Sequence, residues 1–307
     1  MRSTQSDLII IGGGIAGLST AIWARRVGLT ALVLEQAAEA GGQLRSIAQP
    51  IIDFPGLEAQ NGATLSDRVR DQALTAGAEF RPSTPVLAVD VAARSVLTPE
   101  GALQAGALVM ATGLSPRRLG VSGEEELARR GLVHRPSREL GWFQGMHVAV
   151  VGGGDRAAEN GLLLAKVAAR VTLLHRGEQL RAREEFLSQL ARAQERIALR
   201  LGTQVEAIEI ADDDQVALSL RSGSAAAHMT VDAICIYIGN KPNSELVAGQ
   251  AGLSPEGYII TDRHGLSSAP GLYAVGDVCT QPVYQSLSVA AGQAMVVAKH
   301  ALLHRPE

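Results

Sequence analysis

Cysteine is scarce in this sequence: Cys235 and Cys279 are the only two among 307 residues. That excludes a disulfide framework and a metal site built from cysteine alone. No Cys-x-x-Cys pair occurs anywhere, and no metal ligand set is expected. Charge of one sign is not in excess either. There are 28 Lys and Arg against 31 Asp and Glu, a formal net charge of -3, so nothing draws the chain to nucleic acid or a membrane surface. No apolar run reaches the roughly 18 residues of a membrane span. The opening MRSTQSDLIIIGGG carries an apolar run but no small-residue cleavage site of an export signal. A cytoplasmic protein with no nucleic-acid or membrane partner is therefore expected. Cys235, inside the apolar run AICIYIG, reads as a small buried hydrophobe. A chain of this length buries about three quarters of its unfolded surface and suggests about two domains.

What is present is one phrase written twice. Residues 8–36 read LIIIGGGIAGLSTAIWARRVGLTALVLEQ and residues 148–176 read VAVVGGGDRAAENGLLLAKVAARVTLLHR, in register at an offset of 140. Each is an apolar β run, a glycine turn, a helix with small residues on its sheet-facing side, and a second apolar strand. Gly12 aligns with Gly152, Gly14 with Gly154, Gly17 with Ala157 and Glu35 with His175. The spacing is that of a dinucleotide site. The first glycine permits the tight turn, the second lets backbone approach a pyrophosphate, and the third position stays small so that helix and strand pack closely. The helix N-terminus then offers unpaired N–H groups and its positive dipole end to phosphate. A lone G-x-G-x-x-G is weak evidence; strand–turn–helix–strand context, repeated, is strong.

The two copies differ where the nucleotide would be chosen. Glu35 closes the second strand of the first copy, where a carboxylate binds an unmodified ribose diol, as in FAD or NAD. Its counterpart is His175, followed by Arg176 and then Arg181. A cationic site grips a 2′-phosphate through charge-assisted hydrogen bonds, which favours NADPH; the bland alternative is that both arginines are solvated surface charges.

Around these units lie GGQL (41–44), a helix in LSDRVRDQALTAG, short alternating β runs near 85–97, a buried strand ALVMATG (107–113), an Arg-rich helix over 181–195, the strand and turn LYAVGDV (272–278), and a final helix from about Ser286 to Leu303. SPRRLGVSGEEE (115–126) and CIYIGNKPN (235–243) read as crossovers. The expected fold class is α/β: two Rossmann-like, three-layer ββα dinucleotide-binding domains. Residues 1–116 and 244–307 would form a discontinuous FAD domain, and 117–243 an inserted NAD(P)H domain.

Taken together, GGGIAGL, GGQL, DFPG, ATGLSPRRLGVSGEEE, VAVVGGGD, the HR of LLHR, IGNKPN and AVGDV with a following Gln285 resemble the low-molecular-weight thioredoxin reductase family. The motifs span nearly the whole chain in that family's order. The resemblance implies a homodimer of two-domain flavoproteins. It implies that Gly12, Gly14, Ala16, Gly17, Glu35, Gly42, Gln43, Ala111, Thr112, Gly113, Gly276, Asp277 and Gln285 serve FAD, Gln285 near the flavin ring. NADPH would fall to Gly152, Gly154, Asp155, Ala157, His175, Arg176 and Arg181. Asp277 also has a reading of its own: a Gly-Asp at a strand end aims a carboxylate at a ribityl or ribose hydroxyl, or simply caps a turn.

The departure lies in GLVHRPSRELGWF, residues 131–143. In the family, a redox-active C-x-x-C followed by an acid precedes the second glycine turn. Counted back from Gly152, those positions carry Arg135-Pro136-Ser137-Arg138 and Glu139. Thioredoxin reduction by the family's route needs a nucleophilic thiolate there. Three readings of the replacement stay open: drift in an exposed segment; two guanidinium groups favouring an anionic reduced flavin, with Glu139 or His134 handling protons; or a docking patch for an acidic carrier protein or small anion.

The leading functional expectation is an FAD enzyme that takes hydride from NADPH and passes electrons to an external acceptor. The flavin suits this because it accepts two electrons and releases them singly. In lacking the dithiol the chain resembles ferredoxin (or flavodoxin)–NADP reductases of this type, although nothing aromatic follows Tyr284, where those carry a flavin-covering extension. A quinone or oxygen stays open as acceptor. A second expectation drops NADPH: Gly177 stands where the family has a second arginine, and Arg156 where it has serine, so ferredoxin could feed the flavin, or a second flavin could bind. A third is a non-catalytic flavin-binding sensor, since fold does not guarantee function.

Overall fold

The structure, a computed structural model, describes residues 6–47, 50–211 and 214–305, without the side chains of Ser137 and Arg138. The chain divides into two compact units, Met1–Ser115 with Lys241–Glu307, and Pro116–Asn240.

The first unit is built on β1 (Ser6–Ile11), α1 (Ile15–Arg26), β2 (Ala31–Leu34), α2 (Gly62–Thr75), β3 (Glu79–Arg81), β4 (Ala88–Asp90), β5 (Ser95–Thr98) and β6 (Gly101–Met110). After the crossing strands β7 (Leu114–Pro116) and β15 (Asn240–Pro242) it is completed by β16 (Leu272–Ala274) and α7 (Leu287–Leu303). The sheet runs β3-β2-β1-β6-β5-β4, with β16 also on β6. The β1, β2, β3 and β16 pairings are parallel, and β4–β5–β6 is an antiparallel meander. β1 must be buried on both faces, which explains its unbroken apolar run. Leu8 and Ile10 join the layer of α1, α2 and α7, while Ile9 and Ile11 join the opposite layer with Val89, Val96 and Val278. This is the three-layer ββα arrangement.

The second unit repeats it. It comprises α3 (Glu124–Arg129), α4 (Pro136–Glu139), β8 (His147–Val151), α5 (Asp155–Leu164), β9 (Arg170–Leu174), α6 (Glu184–Arg192), β10 (Ile197–Arg200), β11 (Thr203–Ile210), β12 (Val216–Ser222), β13 (Ala225–Val231) and β14 (Ala233–Ile236). A parallel sheet β10-β9-β8-β14 carries α5 and α6 on one face and the antiparallel β11-β12-β13 on the other. The α/β fold is thus two Rossmann-like units of one design.

Several element boundaries depart from the sequence reading. The strand expected at 107–113 starts at Gly101 and stops at Met110, because its first half pairs with β5 and its last residues turn. The helix expected over 181–195 is α6, Glu184–Arg192. Arg181 and Arg183 are held outside it: the Arg181 N–H donates to the Gly153 carbonyl at 2.6 Å and the Arg183 N–H to Asp155 Oδ1 at 2.7 Å. The segment after His134 is not wholly irregular, since Pro136 starts the short α4, a position where its missing N–H costs nothing. Among the described residues no helix is long and apolar enough to cross a membrane.

Candidate functional site

The first glycine turn sits between β1 and α1. Gly12 has φ +111°, and a Cβ there would strike the Ala111 carbonyl oxygen at the end of β6. A Cβ on Gly17 would strike the Gly12 carbonyl oxygen, so the helix seats directly on the turn. Gly14 is the N-cap of α1, no side chain caps it, and a Cβ there would meet nothing within 4 Å. The turn is therefore open on its outer side, with unpaired amide donors facing it. Glu35 is 7% exposed at the end of β2. Its Oε2 accepts the Gly13 N–H at 2.7 Å and its Oε1 the Ala37 N–H at 2.8 Å. Each oxygen retains a lone pair for a hydroxyl.

The other expected residues of this unit gather at the same edge. The Gly41 N–H donates to the Gly13 carbonyl at 2.8 Å, which draws the GGQL turn onto the glycine turn. Gln43 Nε2 donates to Asp277 Oδ2 at 3.2 Å, and a Cβ on Gly113 would lie 3.4 Å from Gln43 Nε2. Gly276 (φ +77°) approaches Ala16, where a Cβ would come within 2.7 Å. Thr112 is committed elsewhere: its hydroxyl donates to the Asn243 carbonyl at 2.6 Å, and Asn243 Nδ2 returns a bond to the Thr112 carbonyl at 2.8 Å. Gln285 folds back on the Thr280 carbonyl at 3.0 Å. Two residues that sequence reading passed over belong here. Gly41 (φ +122°) lies against Ser66, and Gln293 on α7 accepts the Gly276 N–H at 2.8 Å. Gln293 had no motif to betray it. Gly41 was visible as the first glycine of GGQL.

FAD fits these residues. An uncapped helix N-terminus and an open glycine turn suit a pyrophosphate, and Glu35 with spare lone pairs suits a ribose diol.

The second glycine turn, between β8 and α5, repeats the geometry with other side chains. A Cβ on Gly152 (φ +150°) would strike the Tyr237 carbonyl oxygen, and Gly154, the uncapped N-cap of α5, is open within 4 Å. The His175 ring packs where a Cβ of Gly153 would stand, just as Glu35 lies against Gly13. Burial lowers the pKa of His175, and the neighbouring Arg181 and Arg176 add to this against a raising hydrogen bond to the Gln179 backbone. His175 is thus neutral at neutral pH, and the positive charge belongs to exposed Arg176, Arg181 and Arg156. Asp155 is engaged: its Oδ2 takes Arg183 Nε at 2.8 Å, and that guanidinium lies 4.9 Å over the Phe186 ring. Arg183 was missed at the sequence level because it lay inside an expected helix.

The third group lies in the second unit at the departure. His134 stacks on Trp142 with ring centroids 3.7 Å apart and meets Phe143 edge-on at 6.1 Å. Its Nδ1 is 3.0 Å from Glu139 Oε2, while its buried Nε2 has no partner within the protein. His134 thus lies in the irregular segment before α4 but is packed, with its side chain 14% exposed. Arg135 and Glu139 are exposed, and the Arg138 side chain lies outside the described residues. Cys235 on β14 is 1% exposed, and burial pushes its thiol up to about 12. Cys279 belongs to the first unit. Burial pushes its thiol to about 12 as well, and its Sγ donates to the Gly276 carbonyl at 3.3 Å.

Two Rossmann-like units, each with a glycine turn opening a helix, define a protein that binds two dinucleotides. Residues 6–294 match the pyridine nucleotide-disulphide oxidoreductase family, and the chain belongs to it. It is 34% identical over 292 residues to the thioredoxin reductase of Mycolicibacterium smegmatis, covering 94% of this chain and 93% of that one. The thioredoxin reductase of Listeria monocytogenes is 34% identical over 284 residues, 91% of this chain and 88% of that one. The crystal structure of Lactococcus lactis thioredoxin reductase superposes with a TM-score of 0.84 at 28% identity, over 97% of this chain and 98% of that one. The bacillithiol disulfide reductase of Bacillus cereus shares the fold, with a TM-score of 0.82 at 18% identity over 98% and 100%. The thioredoxin reductase family uses FAD and NADPH, and the chain is an oxidoreductase of that kind.

Proposed function

We propose that this protein is an FAD-dependent oxidoreductase that takes hydride from NADPH and passes electrons to an external acceptor without an internal dithiol. The observation that carries the reading is the pairing of two intact glycine turns with the residues at 135–138. Arg135 and Arg138 stand at the two positions where the family's thiols fall, and of the two thiols the chain does possess Cys235 is buried and Cys279 half-buried, both pushed up to about 12 by desolvation and so protonated. In this reading the first unit holds FAD through Gly12, Gly14, Ala16, Gly17, Glu35, Gly42, Gln43, Ala111, Gly113, Gly276 and Asp277, with Thr112 and Gln285 supporting the pocket. The second unit holds NADPH at Gly152, Gly154 and Ala157, with Arg176 and Arg181 on the 2′-phosphate and His175 packing as a neutral ring.

When bound, the flavin supplies hydride acceptance and stepwise electron release. The chain's own residues bind the phosphates at helix N-termini, orient the ribose through Glu35, and offer a proton-holding pair in His134 and Glu139. Arg135 and Arg138 favour an anionic acceptor. An acidic carrier such as ferredoxin or flavodoxin meets that condition, and a neutral small molecule such as a quinone is the alternative acceptor, reached without help from the arginines. We place the protein in the cytoplasm as a homodimer.

Anaerobic mixing of the yellow protein with NADPH, then with NADH, tests this. Fast loss of the flavin's visible absorbance with NADPH is the expected result. No loss with either nucleotide would refute the NADPH step. It would favour the second reading, for which Arg156 beside the turn and Gly177 after Arg176 already speak: a flavoprotein fed by ferredoxin or carrying a second flavin. A non-catalytic sensor would take up NADPH electrons no faster than free flavin does.

A further inference from the structure

A cleft of about 210 Å3 lies in the first unit at the amino ends of β1, β6 and β16, the end of the sheet away from the glycine turn. The parallel strands set the separation: Asp7 on the cleft wall stands five residues before Gly12, about 17 Å at the rise of a β-strand. One side of the wall is apolar. Leu8, Leu29, Ala107 and Ala301 line it, and all four belong to the core layer of α1, α2 and α7.

Asp7, Arg94 and Arg305 reach the same cleft, and their charges do not cancel. Asp7 is matched: its Oδ1 takes Arg305 Nε at 2.9 Å, and its Oδ2 accepts the Thr30 N–H at 2.7 Å and the Thr30 hydroxyl at 2.9 Å. Tyr273 and His300, also on the wall, satisfy each other, with 3.1 Å between the hydroxyl and Nδ1. Arg94 is left over. It ends the turn between β4 and β5 in the left-handed region, φ +51°. Its own N–H donates to the Val91 carbonyl at 3.1 Å, and its carbonyl accepts the Ala105 N–H at 3.0 Å. Its Nη1 donates to the Gly106 carbonyl at 3.2 Å, and the side chain lies over Gly271, where a Cβ would come within 2.8 Å of Nε. Among the described residues no carboxylate pairs with this half-buried guanidinium, and most of its N–H donors stay available.

We propose that this cleft binds a small carboxylic acid with a compact apolar body, its carboxylate on Arg94 and its body against Leu8, Leu29, Ala107 and Ala301. A guanidinium fork matches a carboxylate with two parallel hydrogen bonds, and the pairing compensates a cation held partly out of water. Two arginines against one aspartate leave a surplus positive charge, so a neutral or cationic ligand gains nothing from Arg94. Volume bounds the rest of the ligand. A cavity of about 150 Å3 accommodates benzene, and drug-sized ligands fill about 300 Å3 or more. A single ring bearing one carboxylate falls between the two. A dinucleotide is far too large for this cleft, so the site is separate from the cofactor turns.

The test is calorimetric titration of the FAD-loaded protein with benzoate, with benzamide as the neutral isostere and inorganic phosphate as the probe of charge alone. Benzoate should bind one site per chain with a dissociation constant of about 1 mM or tighter, and should raise the melting temperature at saturation. Benzamide and phosphate should each bind about 10-fold more weakly or worse, since each keeps only part of the match. Arg94→Met, which removes the charge and keeps the length, should lower benzoate affinity by about 10-fold or more. Ala301→Leu, which fills the apolar side and leaves the charge, should lower it comparably. The flavin spectrum and melting temperature of each variant report its fold. No saturable binding of benzoate by the unsubstituted protein at about 10 mM overturns the proposal. Benzoate affinity that survives Arg94→Met also overturns it, because the ligand then lies elsewhere. Phosphate binding as tight as benzoate does the same, since the apolar wall would then play no part.

Discussion

The closeness of α1 to the first glycine turn makes Gly17→Ala a sharp test. The added methyl would lie well inside 3.0 Å of the Gly12 carbonyl oxygen and 3.2 Å from Ile10 Cγ2. Neither neighbour can swing aside, since one is backbone in the turn and the other is a fully buried strand residue. Relief requires the helix to lift by roughly 1 Å, yet α1 buries eight of its twelve residues. Forcing a methyl into a packed interior costs about 1–3 kcal/mol, and the rigid backbone contact puts this case near the top. Alanine returns up to about 1 kcal/mol of helix propensity, leaving a net loss of about 2 kcal/mol. The lift also withdraws the α1 amides from the place where phosphate would sit.

The second unit supplies the control. Ala157 occupies the matching position without needing glycine, so Ala157→Gly should cost only about 1 kcal/mol through helix propensity. The assay is urea unfolding followed by flavin fluorescence, together with the FAD content of purified protein. Gly17→Ala should unfold at lower urea and retain less FAD, whereas Ala157→Gly keeps its full flavin. A Gly17→Ala protein as stable and as flavin-loaded as the parent would refute the close seating of α1 and its role in holding FAD.

Arg181→Ser with Arg176→Ser should weaken NADPH, measured by anaerobic flavin reduction, by on the order of 100-fold, from two charge-assisted bonds at the low end of about 1.5–3 kcal/mol each because both side chains are exposed. Reduction by NADH should change little; equal losses for both nucleotides would show that the arginines do not read a 2′-phosphate. Because burial raises both thiols to about 12, Cys235 and Cys279 stay protonated at pH 8, and a thiol-titrating disulfide reagent should react with neither until denaturant is added. Rapid reaction of either in the folded protein would restore a thiol to the mechanism. Asn61 caps α2 by accepting the Thr64 N–H at 2.9 Å, so Asn61→Ala should lower stability by about 1 kcal/mol in urea titration, and an unchanged midpoint would deny the cap.

Most of the architecture was legible because two periodic signals coincide. β1 and β8 must be apolar on both faces, and the glycines that follow must be small, so each unit announces itself in a few residues. The gathering of Glu35, Gln43 and Asp277 was legible only through motif resemblance, because residues 234 positions apart leave no local trace of meeting. What escaped was decided by tertiary bonds. Arg183 reads as helix until Asp155 and Gly153 pin its segment in extended form. His134 sits in an irregular segment, and its packing on Trp142 and Phe143 is invisible in the sequence.

The contrast between the two turns bears on the nucleotide choice we propose. Glu35 and His175 occupy the same place, each packed on the middle glycine of its turn. A carboxylate there keeps acceptors for a diol, whereas the half-buried neutral ring of His175 supplies no charge. In the function we propose, selection for a 2′-phosphate rests on the arginines around the ring, which the chain presents on segment 176–183. The short bond from the Arg181 amide to the Gly153 carbonyl ties that segment to the glycine backbone, so the cationic side chains are presented by the turn itself. Had 181–183 continued α6 backwards, Arg183 would no longer be held against Asp155, and that carboxylate would be left to repel a phosphate at the N-terminus of α5. Holding Asp155 against Arg183 both fixes the segment and neutralises the one carboxylate in the first turn of α5, which keeps the second site fit for an anion.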